Sequence, residues 1–153
     1  MANTYSQIYI QIVFTVKGKH NLIKKQNRSE LHKYISGIVT NRNQKLVSIF
    51  AMPDHIHLLV GIKPNISISD VVRDIKSGSS KFISDNNWVK GKFAWQEGYG
   101  AFSYSKNQID RVVNYILNQE EHHKKRTFKE EYLELLKKNE IEYSDEYLFE
   151  WVD

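Results

Sequence analysis

The spacing of apolar residues switches between a period of two and a period of 3.6 along this chain, and the order of those switches constrains its fold more than any other feature. In residues 5–16, Tyr5, Gln7, Tyr9 and Gln11 alternate with Ile8, Ile10 and Ile12, and Val13, Phe14 and Val16 continue the run. That pattern predicts a strand. Leu31, Tyr34, Ile35, Ile38 and Val39 then recur at helical spacing across residues 29–42, with Ser29 as a candidate N-cap. Residues 46–51 and 55–62 are short β-rich runs around Met52, Pro53 and Asp54, which favour a turn, and together they predict a hairpin. A second helical stripe behind Ser67 comprises Ile68, Val71, Val72, Ile75, Phe82 and Ile83, and Asn86 and Asn87 end it.

Residues 93–104 are aromatic and contain glycine, which predicts an irregular strand. Ser105 and Gln108 match a capping box ahead of Ile109, Val112, Val113 and Ile116, so a third helix begins there. A last helical stretch near residues 129–138 carries Tyr132, Leu133, Leu135 and Leu136. The order strand, helix, strand, strand, helix, strand is that of an α+β fold of the ferredoxin-like split βαβ type, with an antiparallel sheet and helices on one face. Residues 1–125 would form its body, and residues 126–153 an acidic helical C-terminal extension packed on the same domain.

Charge divides along the same line. Residues 1–119 hold 16 Lys and Arg against 7 Asp and Glu, whereas residues 120–153 hold 6 against 11. A basic body raises the prospect of a polyanionic partner such as nucleic acid, although a solvated basic surface accounts for it equally. The chain has no cysteine, which removes thiolate nucleophiles, disulfides and cysteine-held metals. No segment has the length and apolarity of a membrane span, and the first residues lack the order of a secretion signal, so a soluble cytoplasmic protein is expected.

Within the predicted hairpin, His55 and His57 stand at i and i+2 on a strand, so both project to one face while Ile56, Leu58 and Val60 project to the other. Two imidazoles so placed can converge on one divalent ion such as Mg²⁺, Mn²⁺, Zn²⁺ or Co²⁺. A hydrogen-bonded pair on a sheet surface satisfies the same spacing. On the third helix, Tyr115 and Gln119 are four residues apart and lie one above the other beside the apolar stripe. A glutamine oxygen can complete a two-histidine metal site, and a phenol beside it could attack a phosphodiester. Packing explains them as well.

Three segments in this order resemble one family. The run Met52-Pro53-Asp54-His55-Ile56-His57-Leu58-Leu59-Val60 is similar to the histidine-hydrophobic-histidine motif of small single-strand transposases of the insertion sequence 200/605 type. Tyr115-Ile116-Leu117-Asn118-Gln119 resembles their nucleophile helix, and residues 95–105 resemble the segment leading into it. The resemblance covers residues 5–125. It implies that His55, His57 and Gln119 bind a divalent metal, Mg²⁺ or Mn²⁺, and that Tyr115 is the nucleophile. It further implies cleavage and rejoining of single-stranded DNA at element ends through a 5′-phosphotyrosine link, recognition of hairpins, and a homodimer. No nucleotide cofactor is implied. The acidic tail receives no catalytic role.

Arg73, Lys76, Lys81 and Lys92 could meet DNA phosphates, and Trp95 and Tyr99 could stack on unpaired bases, as could Phe102 and Tyr104. A solvated helix face and core packing are the competing explanations. His122 and His123 suit the end of a helix as cations and are not read as ligands, while His20 and His32 are read as surface residues. Two other functions are compatible with the residues: a metal-dependent phosphodiesterase with water as nucleophile, and a non-catalytic ferredoxin-like nucleic-acid-binding module.

Overall fold

The computed structural model describes residues 3–18 and 20–151. The alternating N-terminal run forms β1 (Tyr9–Thr15), the first helical stripe α1 (Arg28–Asn41), and the hairpin β2 (Lys45–Ala51) and β3 (His55–Gly61). Then come α2 (Ile68–Asp85) and β4 (Gly100–Tyr104). The four strands lie in the order β2-β3-β1-β4, each antiparallel to its neighbour. β1 and β2 therefore run the same way with β3 between them, which is the split βαβ arrangement.

Register decides which side chains meet. In the β1–β3 ladder, Thr15 is opposite His55, Val13 opposite His57 and Gln11 opposite Leu59, so these six residues share one face. The other face carries Ile10, Ile12, Phe14, Ile56, Leu58 and Val60. They form a core with Leu31, Ile35 and Val39 of α1 and Val71, Val72, Ile75 and Ile83 of α2.

The expectation of helices on one face holds for α1 and α2, the helices of the two split βαβ units. The histidine face is covered as well. Ile109, Val112 and Ile116 of α3 (Ile109–Leu117) pack on Leu59, with Val47 and Phe50 at the margin. After the short α4 (Gln119–His122), α5 (Phe128–Lys138) returns over the same face. Its Phe128 stacks on the His55 ring at 3.9 Å. Gly100 makes room for Tyr132, since a Cβ there would lie 2.9 Å from the Tyr132 ring.

Several boundaries differ from the pattern-based expectations for physical reasons. Residues 5–8 lie outside the ladder, although the Ile8 carbonyl still accepts from Ile62 N–H at 2.9 Å. The strand expected over residues 93–104 shrinks to β4, because Gly98 turns the chain at φ 86° and Trp95 makes only an isolated bridge to Val16. Ser67 caps α2 by accepting from Asp70 N–H, as expected, but α1 starts one residue ahead of Ser29.

His32 is not a surface residue. Its Nε2 accepts from Ala51 N–H at 3.0 Å, at the end of β2, and burial together with the nearby Arg28 cation lowers its pKa to about 4. Folded His32 thus stays neutral down to about pH 4, whereas in the unfolded chain it takes a proton near 6.5. The unfolded state binds the extra proton in that window, so stability falls as pH drops from 6.5 towards 4. In His32→Gln, the dependence of unfolding free energy on pH, read from urea titrations between pH 6.5 and 5, should lessen by up to about one proton.

Candidate active site

The two histidines of β3 are fully enclosed, with ring centroids 5.2 Å apart and planes nearly perpendicular. Each has its Nδ1 engaged behind it. The His55 Nδ1 lies 2.7 Å from Asp54 Oδ1, and a carboxylate can only accept, so the ring carries a proton there and turns Nε2 towards α4 and α5. Burial would raise the Asp54 carboxyl, but its hydrogen bond and ion pairing with His55 outweigh that and hold it below its ordinary value. Behind His57, Nδ1 lies 3.0 Å from Gln11 Nε2, and the Tyr104 hydroxyl donates to Gln11 Oε1 at 2.7 Å. Burial keeps His57 towards its neutral form despite the acidic group in front of it.

That acidic group is Glu131, from the first turn of α5, and it is completely buried. Its Oε1 lies 3.0 Å from His57 Nε2, 3.6 Å from His55 Nε2 and 3.1 Å from His123 Nε2. Its Oε2 accepts from Gln119 Nε2 at 3.1 Å and from the Tyr115 hydroxyl. Burial alone would raise the Glu131 carboxyl, but His57, His123 and His55 more than offset it and keep the group ionised. Gln119 is buried too, and its Oε1 faces His55 Nε2 at 3.3 Å.

These donors suit a divalent ion. His55 Nε2 faces two oxygens, Gln119 Oε1 at 3.3 Å and Glu131 Oε1 at 3.6 Å, and a divalent cation placed among the three would be held by all of them. Two ligands each about 2.1 Å from one ion and at right angles stand about 3.0 Å apart, close to the 3.0 to 3.6 Å separations here. One donor atom from each of His55, His57 and Glu131 falls within 4.8 Å of the others.

Tyr115 is half-buried, its ring 6.0 Å from that of His57 and stacked at 4.7 Å on His122. The hydroxyl bonds to Glu131 Oε2 and receives an N–H from Arg126 at 3.2 Å. Burial and the Glu131 charge push the phenol well above its ordinary value, with Arg126 opposing. A cavity of about 300 Å³ opens beside it, with Arg111, Arg126 and Lys138 in its walls. Tyr115 and Gln119 lie on two short helices, because the chain breaks helical geometry at Asn118 (φ −102°, ψ 26°). The pair nevertheless stays in register, with Gln119 Nε2 3.3 Å from the Tyr115 carbonyl.

The structure thus brings His55, His57, Gln119 and Tyr115 together in one chain. It adds Glu131, from the acidic tail given no catalytic role, and His123, which the sequence reading took for a helix-end cation and not a ligand. Trp95 is different. Its ring is boxed edge-on by Phe14 and Phe93, and its indole N–H donates to Ser79, so it offers no face to a base. Lys76 also corrects the phosphate set: its ammonium donates to the Gln96 and Gly98 carbonyls at 2.8 and 2.6 Å, folded inward over Phe14. Arg73 and Lys81 are exposed beside Asp70 and Asp85, Lys92 is exposed, and Tyr99 is partly covered.

Comparison with known proteins gives consistent results. The family model for IS200-like transposases matches residues 4–119. ISDra2 transposase TnpA of Deinococcus radiodurans is 24% identical over 120 residues, spanning 74% of this chain and 84% of that protein. A transposase crystal structure from Deinococcus radiodurans R1 superposes with a TM-score of 0.60 at 24% identity, covering 76% of this chain and 94% of the other. A REP-associated tyrosine transposase bound to a REP hairpin has a TM-score of 0.61 at 14% identity, with 79% and 72% covered. Glu131 and His123 lie beyond the matched family region.

Glu131→Ala would leave His57, Gln119, His123 and Tyr115 facing an empty, buried position. Loss of the shared acceptor should destabilise the fold by about 3 kcal/mol, measured by urea unfolding at pH 7. A change under about 1 kcal/mol would contradict the central place given to this carboxylate.

Proposed function

The chain belongs to the IS200-like transposase family, and on that premise we propose that it cleaves and rejoins single-stranded DNA at hairpin-bearing element ends through a 5′-phosphotyrosine intermediate. The observation that carries this reading is that the Tyr115 hydroxyl and His57 Nε2 meet on one carboxylate, Glu131. A phenol and a two-histidine ion site are thereby within reach of the same phosphate.

His55, His57, Gln119 and Glu131 would hold a divalent ion, Mg²⁺ or Mn²⁺. When bound, the ion would polarise a phosphate oxygen and neutralise the Glu131 charge that opposes phenolate formation. As its proton passes to Glu131 Oε2, the Tyr115 oxygen attacks phosphorus, the bond from phosphorus to the 3′ oxygen breaks, and that oxygen takes a proton and leaves as a 3′-hydroxyl. Rejoining is the reverse attack by a 3′-hydroxyl, and exchange of one phosphodiester for another needs no nucleotide. Before attack the phenol proton rests against Glu131 Oε2, and Arg126 donates to the phenol oxygen, where negative charge develops.

Arg73, Lys81, Lys92 and Tyr99 are the proposed DNA contacts. The hairpin preference is supported by the hairpin-bound structural neighbour. A homodimer and a cytoplasmic setting complete the proposal; among the described residues no helix is long and apolar enough to cross a membrane. Because tyrosine and histidines already meet within one chain, such a dimer need not exchange helices to complete its sites.

Labelled single-stranded hairpin DNA incubated with the protein and Mn²⁺ should yield a covalent protein–DNA species that maps to Tyr115. Tyr115→Phe should abolish it; cleavage surviving in that variant would instead favour a phosphodiesterase using water. His55→Ala or His57→Ala should lower cleavage by about a hundredfold or more while hairpin binding persists. Hairpin binding without cleavage in either Mg²⁺ or Mn²⁺ would leave a binding module.

A further inference from the structure

The two histidines are held from behind in different ways. Asp54 can only accept a hydrogen bond, so His55 keeps a proton on Nδ1 and Nε2 is the nitrogen it has for an ion. Behind His57 stands a carboxamide, which has a donor end and an acceptor end. As placed, the Tyr104 hydroxyl donates to Gln11 Oε1 at 2.7 Å, and Gln11 Nε2 donates to His57 Nδ1 at 3.0 Å. The His57 proton is then on Nε2, where it points at Glu131 Oε1, 3.0 Å away. In this state His57 cannot ligate an ion through Nε2.

We infer that Gln11, backed by Tyr104, is a two-position amide switch that sets which nitrogen of His57 carries the proton, and so decides whether that ring is available to a divalent cation. Turning the carboxamide by half a revolution exchanges its oxygen and nitrogen with little displacement of either. Oε1 then accepts from an Nδ1–H, Nε2–H donates to the Tyr104 oxygen, and His57 Nε2 is bare. The ring gives up the proton at Nε2 and gains one at Nδ1, so it releases none overall. Tyr104 serves both positions because its hydroxyl donates in one and accepts in the other. Gln11 is only 1% exposed, so water cannot take its place behind Nδ1. His55 has no such freedom, because Asp54 keeps a proton on its Nδ1.

This inference rests on the proposed ion site, but its first measurement needs no ion. In metal-free protein labelled with ¹⁵N-histidine, nitrogen shifts should show His57 protonated at Nε2. In Gln11→Glu, whose carboxylate only accepts, the proton should move to Nδ1 while His55 is unchanged. Binding of Co²⁺, followed by its visible absorption and by calorimetry, should weaken about tenfold or more in Gln11→Leu and less in Tyr104→Phe. Gln11→Glu should bind at least as tightly as the parent protein. Gln11→Leu, apolar and of similar volume, carries the test if a buried carboxylate at position 11 does not fold. His57 found protonated at Nδ1 in the metal-free parent, or undiminished Co²⁺ affinity in folded Gln11→Leu, overturns the switch. A tautomer change in Gln11→Glu with no Co²⁺ bound by the parent supports the switch and overturns the ion site instead.

Discussion

A carboxylate sealed inside a protein is tolerated only where charges and hydrogen-bond donors surround it, and Glu131 shows how much structure that requirement organises. Three imidazoles, an amide and a phenol converge on its two oxygens. They come from β3, α3, α4 and the turn between α4 and α5, so one side chain of α5 ties the C-terminal helices to the sheet. Around it, the apolar contacts of α3, Phe128 and Tyr132 hold the cover on the histidine face.

The same carboxylate holds the site at rest. Its charge and the surrounding burial keep the Tyr115 proton in place, and its Oε1 occupies the position in front of His57. The Tyr115 phenol and the imidazoles are therefore assembled but electrostatically quiet. Anything that neutralises Glu131 acts on both at once, since it removes the charge opposing a phenolate and the charged acceptor facing Nε2 of His57. Arg126 works in the opposite sense from the solvent side, favouring negative charge on the phenol oxygen at the mouth of the cavity.

The sheet supplies precision to this arrangement through register. Because Val13 pairs with His57 and Thr15 with His55, the central strand fixes the height of both rings, and Gln11 two residues earlier falls behind His57. A shift of one residue would send both imidazoles into the core built by α1 and α2. The hairpin turn is fixed independently by the Met52 N–H bond to the His55 carbonyl at 2.8 Å and by the contact of Asp54 with His55.

Short-range pattern carried the parts of this protein that depend on neighbours in the chain. Alternation along residues 9–15 and 55–61, the caps at Ser67 and Ser105, and the i, i+2 histidines were legible because period and capping are local properties of backbone geometry. Glu131 was not, since one glutamate in an acidic tail carries no mark of burial; its selection depends on α5 folding back over a strand 74 residues earlier. The same holds for His123, for His32 beneath the end of β2, and for Trp95, whose aromatic character suits a base platform or a core until its neighbours Phe14 and Phe93 are placed. The sequence by itself determined the elements, their order and the imidazole pair. Tertiary structure alone decided which charge is shut away beside them, because desolvation and pairing are properties of the assembled interior.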